Sequence, residues 1–543
     1  MLGRRQTVTG IGAGIFVLCV MAGVIGAAVL ALMGAAATFE TTGSALFSSY
    51  IWKVTQFTLL QACLSTVLSV GLAIPLARAL ARRQSFPGRR WLVRLLAVPI
   101  GLPPIVAALG IIEIWGRQGI INSALLSAGM SEPVSIYGLA GILIAHVFFN
   151  MPLATRLLLA QLDRVPPEYW RNASQLGLGS WTVFRLIEWP FMRSNLAPVC
   201  GLIFMLCVTS FTLVLLLGGG PAATTIEVAI YQALRFDFDP QRAVALALIQ
   251  LTLTSVLLAM LALMGGSPSE GGTSGQASQR FPAKGSASLI TDFSLICVSA
   301  LFLLSPLVSV AVSGLLADFT QLLNEAIVWR AIATSLAIAL AAALISITMG
   351  LCLIRARYAA LPFASRHAWA RLFRFSTTGA SSLVLLVPPI VLGAGWFVLL
   401  RSHVDVFAMA PVIVIAVNAL MALPFVMRVL EPAHTTHMAR TAKLVQSLGI
   451  AGINRLVLVD WPGLRRSLLL AMAFAMALSL GDLGAIALFG SQDVITLPYL
   501  LLQRMGSYRT SDAAGLALLL GLVCLVLMIL ADRGRTNSHG SEL

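Results

Sequence analysis

The chain has 543 residues, a mean hydropathy of +0.92 and only 10% charged side chains, where a soluble domain carries about a quarter. That balance excludes a soluble globular enzyme or binding module. Barrel strands would alternate over about ten residues, and nothing in the sequence does, so the fold class is an all-α polytopic membrane protein.

Apolar runs long enough to cross roughly 30 Å of hydrocarbon recur near 9–35, 56–77, 95–115, 137–155, 194–217 and 243–265. A second set lies near 288–314, 331–354, 379–400, 408–427, 467–489 and 511–532. About 12 transmembrane helices are expected. The first begins after Arg4 and Arg5 and could be a signal peptide, with "GAAAT" as a small-residue site. Its apolar run exceeds the 7–15 residues of a signal h-region, which favours a retained span. With the N-terminus inside, cytoplasmic segments hold 28 of the 36 Lys and Arg. The formal charge of +15 is then the positive-inside rule, not a nucleic-acid surface. Both termini are expected on the cytoplasmic side of the membrane. The seven cysteines show no metal or redox spacing.

Residues 266–287, "GSPSEGGTSGQASQRFPAKGSA", have the Gly/Ser composition of a flexible joint. They separate a first six-span repeat (1–265) from a second (288–543). The halves echo each other: "LPPIVAALG" (102–110) matches "VPPIVLGAG" (387–395). Pro152 precedes Gly177, and Pro424 precedes Gly449, by the same interval, with Arg156 and Arg428 in register. Equivalent points are six spans apart, so the repeats are parallel. Pro103, Pro104, Pro388 and Pro389 are expected to kink the paired third spans.

After the fourth span of each half comes a polar segment. In "RVPPEYWRNASQLGLGSWTVFRLIEWP" a helix runs from the prolines, with Glu168 in its first turn, to a stop at Gly177. Gly177 and Gly179 permit a reversal. Ser180 is then expected to cap a second short helix, with Trp181, Phe184 and Ile187 along one face and Pro190 at its end. The second copy has Thr435 or Thr436 before the helix, Gly449 at the stop, Ile453, Leu456 and Val459 in register, and Pro462 at the end. A lipid-surface helix is usually longer and richer in Lys and Arg. Two identical short hairpins read instead as knobs for two equivalent sockets.

These segments resemble the cytoplasmic coupling loop of binding-protein-dependent ABC importer permeases, whose frame is Glu-Ala-Ala, three residues, Gly, nine residues, Ile, one residue, Leu-Pro. Here the frame is Arg171-Asn172-Ala173, Gly177, Ile187 and Trp189-Pro190, then Lys443-Leu444-Val445, Gly449, Val459 and Trp461-Pro462. Arg171 and Lys443 replace the family's Glu, and Glu168, one turn earlier, is the candidate to take over its ion pair. Within the family, "LGGGPAATTIEVAIYQALRFDFDPQRA" (217–243) and "ALSLGDLGAIALFGSQDVITLPYLLLQRMGSYR" (477–509) resemble the fused, two-repeat permeases of thiamine (or thiamine pyrophosphate) importers. Ferric iron importers share parts of both stretches and are the alternative.

The resemblance implies a type I ABC importer permease fold. It implies a cytoplasmic ABC ATPase in two copies on the hairpins, a periplasmic or extracytoplasmic substrate-binding protein opposite, contact with membrane lipid, and no cofactor or nucleic acid. The residues agree on one point. A phosphate-cradling loop ends in Gly-Lys-Ser/Thr, and Lys53, Lys284 and Lys443, the only lysines, follow Trp, Ala and Ala. ATP hydrolysis must come from a partner.

Asp482 lies within the expected eleventh span. A carboxylate there costs roughly 2.5–3.5 kcal/mol and usually faces a pathway or a partner, so Asp482 is a candidate for the translocation route of a cation. The alternative is a structural hydrogen bond beside Gly481 and Gly484. Glu113 and Glu227 are weaker candidates, near span ends that water should reach. An ion-coupled secondary transporter of two six-span halves is the competing class. Its acidic motif between the second and third spans is missing from "ARALARRQSFPGRRW".

Overall fold

The computed structural model describes residues 4–38, 48–263 and 286–536, apart from positions 364, 366, 385, 386, 402, 451, 492 and 508. The joint expected at 266–287 falls outside the described residues up to 285. Among the described residues every regular element is helical. The principal helices are α1 (Arg4–Thr38), α2 (Ser49–Arg82), α3 (Pro104–Trp115), α4 (Leu139–Leu162), α5 (Pro167–Gln175), α6 (Trp189–Val208) and α7 (Pro240–Leu263). They continue with α8 (Ser286–Leu315), α9 (Ala326–Ala360), α10 (Pro389–Leu400), α11 (Ala410–Ser447), α12 (Trp461–Gly481) and α13 (Thr510–Thr536).

Among the described residues, eleven helical segments are long and apolar enough to span a membrane, and α10 is a shorter apolar helix. The expected ninth span, 379–400, is therefore not one continuous helix. A helix at Ala368–Val384 precedes it, and a new one starts at Pro389. Pro104 likewise opens α3. These prolines begin helices where kinks in continuous spans were expected. Proline lacks an N–H and is preorganised for the first helical position, and it holds the residue before it extended; Pro103 and Pro388 have ψ of 130° and 151°.

The spans expected at 194–217 and 467–489 also break, at matching places. α6 ends at Val208 and a short helix resumes at Thr212–Leu217. α12 ends at Gly481 and resumes at Gly484–Phe489.

The chain forms two compact units. One holds residues 47–229 and 252–316, the other 1–46, 230–251 and 317–543. In the first, α2 packs on α4 and α6, and α8 lies on α3. A Cβ on Gly110 would stand 2.4 Å from the Pro306 carbonyl oxygen, so α3 and α8 meet backbone to backbone. In the second, α9 packs against α11 and α12, and α1 lies across α9 and α10. A Cβ on Gly14 would stand 2.3 Å from Ala356 Cβ, and one on Gly395 would stand 2.5 Å from the Ala28 oxygen. Each unit thus contains the first helix of the other half of the sequence. Composition marks α1 and α8 as spans and carries nothing about which neighbours they choose.

Candidate functional site

The two hairpins share one backbone. α5 ends at Gln175, and Gly177 follows at φ +63°. Gly177 N–H donates to the Ser174 oxygen (3.2 Å) and Leu178 N–H to the Ala173 oxygen (3.0 Å). α11 ends at Ser447, and Gly449 has the same φ of +63°. Gly449 N–H donates to Gln446 (3.3 Å) and Ile450 N–H to Val445 (3.1 Å). This pair of bonds is the glycine-stopped helix end in which two orphan carbonyls are satisfied. Below the first turn, Val165, Trp170, Ala173 and Ile187 form a buried cluster with Leu178, Val183 and Phe191 against it. Ala173 and Ile187 therefore hold the knob together from inside, and Val445 is buried at the place of Ala173. Val459 is half-buried, unlike Ile187.

The outward surface carries Glu168, Arg171 and Gly177 in one copy, and Lys443, Gly449 and Pro462 in the other. At the tips, Leu176 is 73% exposed and Leu448 62%. Leu444 is exposed as well, and Trp181, Leu186, Leu456, Val457, Leu458 and Trp461 are exposed at the start of the apolar segments Ser180–Val208 and Leu456–Gly481.

Several local expectations are corrected. Pro190 and Pro462 do not end a helix. Each lies in the first turn of a long one, α6 or α12, and is preceded by a π-helical turn at Phe184–Glu188 or Leu456–Asp460. The wider turn lets Trp189 N–H bond the Phe184 oxygen, and Trp461 N–H the Leu456 oxygen. It moves the helix out of the register in which the proline ring would meet the carbonyl four residues back. Pro190 itself is half-buried. Neither Thr435 nor Thr436 starts a helix, since α11 runs through both. Gly179 takes the capping position without a side-chain bond, and Ser180 instead receives arginines from α2. Arg78 Nη2 donates to its carbonyl (2.5 Å), and Arg82 Nη2 to its hydroxyl (2.7 Å).

Asp482 stands at the break between α12 and the helix Gly484–Phe489, not inside a continuous span. Its carboxylate accepts the N–H groups of Gly484 (3.3 Å) and Ala485 (3.4 Å). It also lines a small cavity with Ser335, Asn418, Ser479 and Thr496. There Asn418 Nδ2 donates to Ser479 Oγ at 2.8 Å, while Asn418 Oδ1 and Thr496 Oγ1 are buried without a partner. Glu113 accepts from Ser309 Oγ at 2.6 Å. Glu227 is 1% exposed, so water does not reach it as expected; it sits on the amphipathic helix Ile226–Arg235, whose apolar positions face inward.

Comparison with known proteins places the chain in a family. Residues 69–265 match the binding-protein-dependent transport system inner membrane component. Over 525 residues the chain is 53% identical to the thiamine transport system permease protein ThiP of Brucella abortus (strain 2308), covering 97% of this chain and 95% of that one. The chain belongs to the ThiP permease family. It is 45% identical to Escherichia coli (strain K12) ThiP over 490 residues, 89% of each chain. A more distant likeness, 32% over 141 residues, is to the sulfate transport system permease protein CysW of a Synechocystis species. As a member of the ThiP family the chain is a membrane-embedded transport subunit of the binding-protein-dependent type.

The matched segment, 69–265, contains the first hairpin entire. Two sets of residues in this ThiP-family chain escaped the sequence reading: the arginines of α2 and α9 that reach the hairpins, and the polar lining around Asp482. Arg78 and Arg355 were legible only as positive-inside charge. Asn418 and Ser479 lie among apolar neighbours with no local signal of their pairing.

Proposed function

We propose that the chain is the permease of an ATP-driven importer carrying thiamine, or its phosphates, from an extracytoplasmic binding protein into the cytoplasm. It spans the bacterial inner membrane as two parallel six-span repeats joined by 266–287, with both termini inside. Two copies of a cytoplasmic ABC ATPase seat on the hairpins, one at Glu168, Arg171, Ala173, Gly177, Ile187 and Pro190, the other at Lys443, Gly449, Val459 and Pro462. Arg171 and Lys443 put a cation where the family frame has Glu, so they favour an acidic partner on the ATPase. The observation that carries the reading is the duplicated glycine-stopped turn, with the same φ and the same pair of hydrogen bonds in both copies. Thiamine rests on the relatives matched over most of their length, which are thiamine transport system permeases. Asp482, set in a small cavity of mixed lining with two unsatisfied oxygens beside it, lines the route of this cationic substrate.

The test is reconstitution of the permease with its ATPase and binding protein in vesicles. Thiamine is expected to accumulate only when ATP and the binding protein are both supplied. Uptake of ferric iron in place of thiamine would move the chain to the iron importers. Uptake by the permease alone, driven by an ion gradient, would overturn the ATP-driven reading.

A further inference from the structure

Glu188 and Asp460 occupy equivalent places, immediately before the Trp-Pro of each hairpin, and each is held by an arginine from the second span of its own half. Glu188 is 1% exposed and accepts from Arg78 Nε at 2.5 Å. The same guanidinium donates to the Ser180 carbonyl and lies 4.5 Å from the Phe184 ring centroid. Ser180, Phe184 and Glu188 are four residues apart, so a single arginine grips one face over two turns. In the second copy Asp460 accepts from Arg355 at 3.5 Å, with His437 of α11 (3.3 Å) and Arg455 (3.6 Å) around it.

The other end of each of these spans is tied as well. Thr58 Oγ1 of α2 accepts the N–H of Ile226 at 3.0 Å, and Ser335 Oγ of α9 accepts the N–H of Leu497 at 2.7 Å. Ile226 and Leu497 open the inner helices Ile226–Arg235 and Leu497–Gly506, which follow the broken spans. From Thr58 to Arg78, and from Ser335 to Arg355, is the same interval in sequence. At 1.5 Å per residue that interval is about 30 Å, the thickness of the hydrocarbon core.

We propose that α2 and α9 act as connecting rods, with Arg78 and Arg355 as positioning residues. They carry a displacement of each hairpin across the membrane to the start of the inner helix that follows the break. The inference rests on the reading that the hairpins receive the ATPase, and it adds which span takes up the motion and where it is delivered. It predicts that cutting the tie at either end uncouples hydrolysis from transport.

The experiment uses the reconstituted complex with its ATPase and binding protein, and reads thiamine moved per ATP hydrolysed. Arg78→Gln is expected to keep the ATPase bound and hydrolysing while that ratio falls at least tenfold. Arg78→Lys, which keeps the charge, should recover much of it. Thr58→Val, at the far end and away from the hairpin, should lower the ratio in the same way. An unchanged ratio in Arg78→Gln or in Thr58→Val overturns the proposal. So does release of the ATPase by Arg78→Gln, which would make the pair a mere brace of the hairpin. A wild-type complex that hydrolyses ATP without moving thiamine would refute the substrate reading alone. The rod is then read from hydrolysis stimulated by the binding protein, which Thr58→Val should abolish and, if the rod is wrong, would leave intact.

Discussion

Asp482 shows how one side chain can serve two ends. Its two oxygens take the first free N–H groups of the helix Gly484–Phe489, which an apolar setting would otherwise leave unsatisfied. That accounts for an acceptor at the break; asparagine also caps a helix, although its single side-chain oxygen would keep one of the two bonds. We propose that the charge serves a cationic substrate, on a route beside the small cavity that Asp482 shares with Asn418 and Thr496. The two roles separate by substitution. Asp482→Asn retains one of the two acceptors and loses the charge, so most of the folded protein should remain while thiamine uptake falls at least tenfold. Asp482→Ala should lose folded protein too, since a missing cap costs about 1 kcal/mol. Uptake and yield are both read from membranes expressing each variant, and full uptake by Asp482→Asn would leave Asp482 as a cap alone.

At the scale of the element, the hairpin is a turn whose shape depends on one dihedral. Gly177 and Gly449 have φ of +63°, and no atom lies within 4 Å of where a Cβ would stand on either. Crowding is therefore absent, and any cost of substitution is backbone strain, about 1–2 kcal/mol for an L-residue in this region. Asparagine visits it more readily than alanine, and a β-branched residue least of all. ATPase binding to the permease in nanodiscs should accordingly weaken in the order Gly, Asn, Ala, Val at position 177, with Ala about 5- to 30-fold weaker. An alanine variant that binds as tightly as the parent would show that the turn does not shape the socket contact. This element was legible because its signals are local: a glycine at the stop, prolines at fixed offsets, and the same frame twice. The closing prolines misled for the same reason. Whether a helix stops at Pro190 or passes through it depends on a shift to a π turn at Phe184–Glu188, and no residue type encodes that shift. The grip of Arg78 on Glu188 joins positions far apart in sequence, so periodicity had no means of pairing them.

For the whole molecule, hydropathy marked the apolar runs and spacing marked the duplicated motifs, because both follow from composition and local sequence. Which helices share a unit was illegible. Membrane helices associate through close fit and small residues, not through a difference in hydrophobicity, and fit is a property of pairs. Gly10 and Gly14 of α1 are small residues one turn apart, yet the sequence does not say that their partners are Ala359 and Ala356 of α9. That contact yields a test of how the second unit is completed. A Cβ on Gly14 would lie 2.3 Å from Ala356 Cβ and 3.2 Å from Phe373 Cζ, whereas one on Gly12 would meet nothing within 4 Å. The two glycines share a helix and have the same propensity, so only the contact distinguishes them. Overpacking a close interface costs about 1–3 kcal/mol, enough to loosen α1 from α9 without preventing its insertion. Gly14→Leu should therefore lower the thermal midpoint of the purified protein by several degrees and expose α1 to protease, while Gly12→Leu should do neither. Equal behaviour of the two variants would mean that α1 lies against lipid and that the unit is complete without it.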